Sequence, residues 1–346
     1  MTKKTEGLLT LGRAFREVLN GEPLTVNASL QAKLSEVRQN SVPVNPWFTP
    51  DNVAYAMQQW VDILTPDSVN EWLSHYPVSQ EQKRIGLITA GNIPLVGLHD
   101  MLCVWATGHV ALIKCASEDP ITPVVVELIN HIAGEARFVQ HREQLKEADA
   151  YIATGSNNSA RYFDYYFGKY PHIIRKNRQS VAILSGDETE DELRGLASDV
   201  FRYFGLGCRS VSKLFVPHDY DFQALFKAMF GFKHVVEHNR YANNYDYYRT
   251  IYLMNKIQIW DNGFVILKED EGLSSPVAVL FYSHYKNEDE LRNHIDHLGD
   301  QLQCVVGKNN LPFGSTQQPG LSDYADGIDT MAFLTSPETW TSNAPS

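Results

Sequence analysis

The group in this sequence with the strongest capacity for covalent chemistry is a cysteine that follows a helix and two glycines. Cys208 stands directly after Gly205-Leu206-Gly207 and directly before Arg209. Thr189 and Glu192 predict a capping-box start for the helix, whose apolar residues recur every three or four positions. Glycines can adopt backbone conformations closed to other residues, and free N–H groups beside a cation favour a thiolate. Such a cysteine is either a reactive nucleophile or a small buried residue at a helix end.

Further groups with useful chemistry follow predicted strands. Asn92 lies in the turn after the apolar strand at residues 84–88, and Lys114 ends the next strand. Thr154-Gly155-Ser156 follows a later strand and opens a helix. Ligands of parallel α/β sheets bind at the carboxyl ends of the strands, close to helix N-termini. We therefore expect Asn92, Lys114 and Ser156 to lie at one edge of a sheet.

The elements that must position these groups follow a regular alternation. From residue 84 onwards strands alternate with helices, which predicts an α/β protein with two doubly wound domains built on parallel sheets. The predicted divisions are an N-terminal helical region at 1–80, a first α/β domain at 81–184, a second at 185–310 that contains Cys208, and a C-terminal arm with a loose tail at 311–346.

Composition and charge exclude several classes of protein. The 346 residues carry a net charge of −11 without a dense basic run, which argues against general nucleic-acid binding. Four scattered cysteines without a C-x-x-C pair fit a reducing cytosol, and we expect no metal site and a cytoplasmic location. No apolar run reaches the roughly 18 residues of a membrane-spanning helix. The phosphate-loop and Gly-x-Gly-x-x-Gly motifs are absent as well.

The order of the polar groups resembles that of the aldehyde dehydrogenase superfamily. An Asn-x-Pro turn, a Lys at a strand end, a Gly-Ser helix start and a Gly-x-Cys nucleophile follow one another there with similar gaps. Within that superfamily the sequence is most similar to the fatty acyl-CoA reductases, among them the luciferase-linked long-chain reductases, over roughly residues 47–335. The stretches that carry this similarity are AGNIP (90–94), RKNRQSVA (175–182), GLGCRSVS (205–212), YANNYDY (241–247) and DYADGIDT (323–330).

The resemblance implies a mechanism for Cys208. Its thiolate would attack an acyl-CoA thioester and expel coenzyme A, and hydride from a nicotinamide cofactor would then reduce the acyl-enzyme to an aldehyde. The side-chain amide of Asn92 and the backbone N–H of Cys208 would stabilise the oxyanion. The first domain would bind the cofactor, and the second would carry out the acyl chemistry.

The resemblance also implies the cofactor site. Lys114 would reach the adenosine ribose or its phosphate, and Thr154, Gly155 and Ser156 would approach the cofactor with backbone N–H groups. Many relatives have a glutamate where this chain has Ser117. A carboxylate there would repel a 2′-phosphate, so serine favours NADPH, although Glu118 next to it leaves NADH open. Glu271 is the nearest candidate for the acid that contacts the nicotinamide ribose in many relatives, one place out of register.

One difference from the hydrolytic relatives favours reduction of a thioester. Those enzymes have a Glu-Leu-Gly-Gly motif whose glutamate activates water, whereas the corresponding stretch here is Arg175-Lys176-Asn177-Arg178. Arg175 and Arg178 would contact phosphate groups or form structural ion pairs. The proton carrier for Cys208 is not fixed by the sequence, where His99, His234 and His238 are equivalent candidates.

Two other functions stay open at this point. The substrate could be another activated acyl group, an acyl phosphate or a carrier-protein thioester, or the chain could be a catalytically silent relative that binds a nucleotide. Retention of both Asn92 and Cys208 speaks against the silent relative. Superfamily members pair through a C-terminal arm, so the resemblance also implies a homo-oligomer, a dimer or larger.

Overall fold

The computed structural model of the protein describes residues 2–23, 25–77, 81–140, 145, 147–336 and 340. Over these residues the chain divides into two compact units. Unit 1 comprises Met1–Lys176 and Gly320–Ser346, and unit 2 comprises Asn177–Pro319. Within the described ranges, none of the helices combines the length and the apolar character needed to cross a membrane.

Unit 1 begins with the helices that the sequence predicts for residues 1–80. Side chains of Asn27, Thr49 and Thr65 accept hydrogen bonds from the first turns of the second, third and fourth helix, which fixes where these helices begin. The first helix buries apolar side chains of one face, among them Leu8 and Phe15. The helices are α1 (Lys3–Asn20), α2 (Ala28–Asn40), α3 (Pro50–Ile63) and α4 (Pro66–Ser74).

A parallel sheet forms the centre of unit 1. Its strands are β1 (Arg84–Ile88), β2 (Val110–Lys114), β3 (Phe138–Gln140), β4 (Ala150–Thr154) and β5 (His172–Arg175), in the order β3-β2-β1-β4-β5 over the described residues. The connecting helices are α5 (Leu98–Thr107), α6 (Thr122–Ala133) and α7 (Asn157–Phe167). Every pairing is parallel, as predicted, so the carboxyl ends of all strands lie at one edge.

Unit 2 is built on a second sheet. Its strands are β6 (Gln179–Ile183), β7 (Val211–Pro217), β8 (Ile259–Asp261), β9 (Ile266–Glu269), β10 (Val279–Tyr285) and β11 (Leu302–Gly307), in the order β11-β6-β7-β10-β9-β8 over the described residues. The β8–β9 pairing is antiparallel and the others are parallel. The helices are α8 (Glu190–Phe201), α9 (Phe222–Met229), α10 (Asn239–Met254) and α11 (Glu288–Leu298).

The boundary between the units differs from the prediction. The predicted first domain, 81–184, includes β6, but β6 pairs with β7 and β11 and therefore belongs to unit 2. The chain passes from one unit to the other after Lys176. The apolar pattern of β6 is that of any buried strand and carries no information about which sheet it joins.

The C-terminal segment also differs from the predicted extended arm. Residues 320–336 pack on unit 1 and form a short helix, α12 (Thr330–Thr335). A chain of hydrogen bonds fixes the segment: Trp72 Nε1 donates to the Tyr324 hydroxyl at 2.8 Å, which donates to the Tyr76 hydroxyl at 2.8 Å, which donates to Asp329 at 2.7 Å. The predicted loose tail, residues 341–346, lies outside the described residues.

A buried histidine ties α12 to the sheet and makes the stability of the protein dependent on pH. The ring of His109 accepts a hydrogen bond from the Lys83 N–H at 3.1 Å and contacts the Leu334 carbonyl through Nε2 at 2.8 Å, so it is a neutral ring with its proton on Nε2. Burial lowers the pKa of His109, and the charges of Lys4 and Lys83 lower it further.

We expect the free energy of unfolding to decrease as the pH falls below about 6.5. The unfolded chain binds a proton at His109 in that range, whereas the folded protein does so at lower pH, and the loss ends once the pH is below the lowered folded-state pKa. Urea unfolding between pH 8 and pH 5 tests this: His109→Gln should flatten the slope. The exposed control His297→Gln should keep the wild-type slope, and an equal effect of both variants would contradict the assignment.

Candidate active site

Five of the six residues that the sequence predicts for the cofactor site lie at the carboxyl edge of the unit 1 sheet or in the loops that follow it, whereas Glu271 belongs to unit 2. Ile88 at the end of β1 is in register with Lys114 of β2 on one side and with Ala153 of β4 on the other. The Thr89 N–H donates to the Lys114 carbonyl at 3.2 Å. Lys114 and Thr154 therefore flank the end of the central strand.

The turn from β4 to α7 requires a glycine. A Cβ on Gly155 would lie 2.9 Å from Cβ of Ser159 and 2.9 Å from Cε2 of Phe163, closer than such atoms approach. The Ser156 side chain accepts a hydrogen bond from the Ser159 N–H at 3.2 Å and so caps α7. The start of α7 is thereby held directly beside the end of β4.

The loop after β2 has an exposed serine, Ser117, and a buried carboxylate, Asp119, that is hydrogen-bonded within the protein. Asp119 accepts hydrogen bonds from the N–H groups of Ile121 at 2.9 Å and Thr122 at 3.0 Å, at the start of α6. Burial raises the pKa of Asp119, and the bonds from Thr122 oppose that shift. Ser117 and Glu118 are exposed, so these two residues are the accessible polar groups of the loop.

Asn92 lies in a strained and anchored loop next to these residues. The Asn92 side chain is exposed, and Leu95, three residues on, has a φ of 59°, a left-handed conformation that is costly for leucine. Asn45 Nδ2 donates to the Gly91 carbonyl at 3.0 Å. A Cβ on Gly91 would lie 2.6 Å from Cβ of Ala116, so the Asn92 loop packs closely against the loop that carries Ser117.

Cys208 is exposed on an anchored turn in unit 2. Ser180 Oγ donates to the Cys208 carbonyl at 2.9 Å, and the Ser210 N–H donates to the Gly207 carbonyl at 2.9 Å. Gln317 Nε2 donates to the Ser210 hydroxyl at 3.2 Å. The alternative interpretation of Cys208 as a buried residue at a helix end is therefore wrong.

The turn before Cys208 contains left-handed residues that are not glycines. Tyr203 has φ 53° and Phe204 has φ 58°, and Gly205 follows with φ 77°. Such conformations cost on the order of 1–3 kcal/mol for each non-glycine residue, and they cluster at functional sites. Phe204 is buried against the ring of His238, with 4.5 Å between ring centroids. The sequence indicated the glycines, but Gly207 has no positive φ, and the strain lies at the two aromatic residues.

Arg209, the cation next to Cys208 in the chain, lies close to another cysteine. Arg209 Nη1 lies 3.6 Å from Cys304 Sγ on β11. Burial raises the pKa of the Cys304 thiol, and the charge of Arg209 opposes that shift.

Glu271, the predicted ribose acid, is exposed in the loop after β9. A hydrogen bond from Ser212 Oγ to the Leu273 carbonyl, at 2.7 Å, holds that loop against the start of β7.

The exposure of Cys208 predicts selective alkylation. Cys103 and Cys304 are buried and Cys115 is half-buried; burial raises the pKa of the first two thiols and that of Cys115 to about 12, so they stay protonated at neutral pH. We expect iodoacetamide at pH 7.5 to modify Cys208 first in the native protein, as measured by peptide mass spectrometry. All four cysteines should react in urea. Equally rapid labelling of Cys115 in the native state would refute the prediction.

Several solved structures have the same fold. No protein-family model and no curated protein matches the sequence. The NAD-dependent aldehyde dehydrogenase from Sinorhizobium meliloti superposes with a TM-score of 0.61 at 14% identity, covering 92% of this chain and 72% of that chain. The aldehyde dehydrogenase KauB from Pseudomonas aeruginosa superposes with a TM-score of 0.60 at 12% identity, covering 90% of this chain and 73% of that chain. The NAD+ complex of aldehyde dehydrogenase from Bacillus cereus superposes with a TM-score of 0.56 at 12% identity, covering 90% of this chain and 73% of that chain.

The protein has the aldehyde dehydrogenase fold. This confirms the predicted fold class, two α/β domains on parallel sheets. Identities of this size show the fold and leave the reaction to be argued from the residues. Within the described residues, no cluster of three or more His, Cys, Asp or Glu side chains could hold a metal ion.

The stretch at residues 175–178 begins with a buried ion pair. Arg175 is 3% exposed; its Nη1 pairs with the Asp100 carboxylate, and its Nη2 donates to the Thr330 hydroxyl at 2.8 Å. Arg178 donates to the Leu302 carbonyl at 3.3 Å and lies 3.9 Å from Asp300. Of the two alternatives for these arginines, the contacts are those of structural ion pairs.

Removing the Arg175 side chain should strongly destabilise the protein. Arg175→Ala leaves Asp100 as an uncompensated buried charge, which costs about 3–5 kcal/mol of unfolding free energy. The matched control is Lys176→Ala, because Lys176 and Asp164 form an exposed pair at 3.6 Å that contributes less than about 1 kcal/mol. Urea unfolding measures both variants, and losses of similar size would contradict this difference.

The three candidate histidines have different surroundings. His99 Nε2 lies 2.8 Å from the Leu321 carbonyl, and the ring is 5.2 Å from that of Tyr324, so it helps to fix the C-terminal segment. His234 lies beside the ring of Phe232. His238 caps α10 and packs on Phe204 in the strained turn before Cys208. Sequence reasoning gave no basis for choosing among them, and the structure links His238 to the cysteine turn.

Proposed function

We propose that the protein is an NADPH-dependent reductase that converts an acyl-CoA, in the first instance a fatty acyl-CoA, to the aldehyde through an acyl-cysteine at Cys208. The observation that carries this proposal is the exposed thiol of Cys208 on a strained, anchored turn within an aldehyde dehydrogenase fold. A binding protein has no need to maintain such strain, whereas a nucleophile benefits from being held in one position.

The first half of the reaction is acyl transfer. The Cys208 thiolate attacks the thioester carbonyl, the carbon–sulfur bond to coenzyme A breaks, and the leaving thiolate takes up a proton. During the attack the carbonyl oxygen becomes an oxyanion. The backbone N–H of Cys208 and the side-chain amide of Asn92 are the donors we assign to it.

The second half is reduction of the acyl-cysteine. A bound nicotinamide cofactor supplies the hydride. The thiolate of Cys208 then leaves with the electron pair of the carbon–sulfur bond, and the aldehyde is released. The stretch at residues 175–178 has no carboxylate to activate water, and Arg175 is held in a buried pair, which supports reduction over hydrolysis.

The carboxyl edge of the unit 1 sheet fits a dinucleotide. Its polar groups are the Lys114 ammonium, the exposed Ser117 hydroxyl and the N–H groups at the start of α7. Gly155 has no side chain, which allows the start of α7 to pack closely against the end of β4. These are donors for phosphate and ribose oxygens. Ser117 stands where a carboxylate would repel a 2′-phosphate, and we therefore assign NADPH in preference to NADH. The Bacillus cereus neighbour was solved with NAD+.

A coupled assay tests the proposal directly. Purified protein is mixed with acyl-CoA of several chain lengths and NADPH or NADH, while absorbance at 340 nm and thiol release are followed. We expect both signals with wild type, neither with Cys208→Ala, and a preference for NADPH. Consumption with an acyl phosphate but with no acyl-CoA would reassign the substrate, and no consumption with any acyl donor would refute the enzyme. The scattered cysteines are the basis for expecting a cytoplasmic location, and the resemblance is the basis for expecting a homo-oligomer.

A further inference from the structure

The turn that leads to Cys208 has a backbone that its residue types do not favour. Tyr203, Phe204 and Gly205 follow one another with φ of 53°, 58° and 77°. Left-handed conformations normally occur at single residues, and two of these three carry bulky side chains. The free energy that offsets this strain must therefore come from what the two aromatic side chains contact.

The ring of Phe204 packs against two residues at the start of α10. Phe204 is 9% exposed, and the centroid of its ring lies 4.5 Å from that of His238 and 6.1 Å from that of Tyr241. His238 is the N-cap of α10, and Tyr241 is the third residue of the helix. Aromatic rings at such distances stabilise each other beyond the burial of their area. The start of α10 thus holds the left-handed turn.

His238 is an unusual residue for the position that it occupies. Its Nδ1 accepts a hydrogen bond from the Tyr241 N–H at 3.4 Å and so caps α10. Asn, Asp, Ser and Thr are preferred at such positions, because their short side chains reach the same N–H groups. A histidine adds an aromatic ring to the cap, and this ring lies on Phe204. The contact with the turn therefore explains the histidine.

Tyr241 contributes its ring to the turn and not its hydroxyl. The residue is 1% exposed, and within the described residues its hydroxyl has no hydrogen-bond partner. Burial raises the pKa of this hydroxyl, so it stays neutral. A buried hydroxyl without a partner costs free energy and does not explain a tyrosine here. The ring, packed near Phe204, does.

The strained residues are close enough to Cys208 to determine its position. Three residues separate Phe204 from Cys208, and among them the Leu206 N–H donates to the Tyr203 carbonyl at 3.2 Å. On the other side, Ser180 Oγ donates to the Cys208 carbonyl at 2.9 Å. A change of the backbone at Phe204 would therefore be passed on to the cysteine.

We propose that His238 and Tyr241 are positioning residues, which pack on Phe204, hold the left-handed turn and so fix the Cys208 thiol for attack on the acyl carbonyl. The attack itself rests on the proposed function. A nucleophile held in line with its target reacts faster than a mobile one. The packing of the turn needs no substrate, so it can be measured on the protein alone.

Hydrogen–deuterium exchange of the peptide covering residues 202–210 tests the packing. We expect exchange about three- to tenfold faster in His238→Asn and in Tyr241→Ala, the equivalent of one lost aromatic contact. His238→Asn keeps a capping side chain on α10, so it removes the ring alone. Tyr241→Phe keeps the ring and should exchange as wild type does.

Two substitutions in unit 2 control for a general loss of stability. His294→Asn removes a half-buried histidine of α11 whose ring lies 5.3 Å from that of Phe215. Tyr252→Ala removes a buried tyrosine near the other end of α10. Both should lower the melting temperature and leave the exchange of residues 202–210 unchanged.

Single-turnover release of coenzyme A measures the consequence for Cys208. At saturating acyl-CoA we expect an acylation rate about tenfold lower in His238→Asn and in Tyr241→Ala. The half-saturating concentration of acyl-CoA should stay the same, because the thiol and not the binding site is misplaced. Both control variants should acylate as wild type does.

The outcomes separate the proposal from the function on which it rests. Unchanged exchange in folded His238→Asn and Tyr241→Ala would overturn the proposal, and so would faster exchange with an unchanged acylation rate. Equal loosening of the turn by either control would overturn it as well. If Tyr241→Ala fails to fold, His238→Asn decides alone. Absence of coenzyme A release by wild type would refute acyl transfer, while the exchange measurement would still decide whether these rings hold the turn.

Discussion

Cys208→Ala is expected to lower kcat for aldehyde formation by on the order of 10⁴-fold or more, because the covalent route loses its nucleophile. Cofactor binding should be retained, since the proposed cofactor contacts lie on other residues. The measurement is the rate of NADPH oxidation at saturating acyl-CoA, with NADPH fluorescence to verify binding.

The control for this substitution is Cys103→Ala. Cys103 is a fully buried thiol on α5 in unit 1, so its replacement should lower the melting temperature and leave kcat close to that of wild type. A residual rate in Cys208→Ala within tenfold of wild type would contradict a covalent mechanism. Equal inactivation by both substitutions would indicate that loss of stability, and not loss of the nucleophile, removes activity.

Asn92→Ala is expected to lower the rate of acylation by about 10²–10³-fold, the typical effect of losing one donor to an oxyanion. The donor acts on charge that develops in the transition state, so affinities for acyl-CoA and NADPH should change little. Rapid-quench measurement of coenzyme A release in a single turnover isolates this step from hydride transfer and from product release.

Asn45→Ala separates the amide from the loop that carries it. Asn45 anchors the Asn92 loop through its hydrogen bond to the Gly91 carbonyl at 3.0 Å and has no assigned contact with substrate. We expect it to lower acylation by about tenfold or less, the equivalent of one neutral hydrogen bond. If Asn45→Ala were as damaging as Asn92→Ala, the loop conformation and not the Asn92 amide would be the important factor.

Buried apolar strands and helices with a regular apolar face could be predicted from the sequence, whereas the short edge strands and the tyrosine-lined helix α10 could not. β1, β2 and β4 are continuous apolar runs with buried centres, and the pattern located them to within a residue or two. β3 and β5 are short edge strands with partly exposed residues, so no alternation marks them.

The sequence pattern does not mark the helix α10 for another reason. Its buried residues are Tyr241, Tyr245 and Tyr252, and most of the other positions before Ile251 are polar or tyrosine. In a search for aliphatic periodicity such a stretch has no signal, although the tyrosines recur with helical spacing. The same residues pack near the strained turn: the ring of Tyr241 lies 6.1 Å from that of Phe204.

The sequence indicated candidate residues for the site but not how the backbone around them is held. The roles of Asn92, Lys114, Gly155 and Cys208 are what the resemblance implies from their order, and they stay predictions. Tyr203 and Phe204 have left-handed backbone conformations, and the sequence gives no sign of this because aromatic residues normally avoid them. The hydrogen bond from the Lys213 ammonium to the Asp270 carbonyl joins residues about sixty positions apart in the chain, a contact that spacing does not reveal.

Mass spectrometry of the enzyme after incubation with acyl-CoA in the absence of cofactor is the most direct test of the central claim. We predict a mass increase of one acyl group, located on the peptide that contains Cys208, and its loss as aldehyde when NADPH is added. An acyl group on a different residue, or an adduct on Cys208 that leaves as the free acid without oxidation of NADPH, would contradict the account.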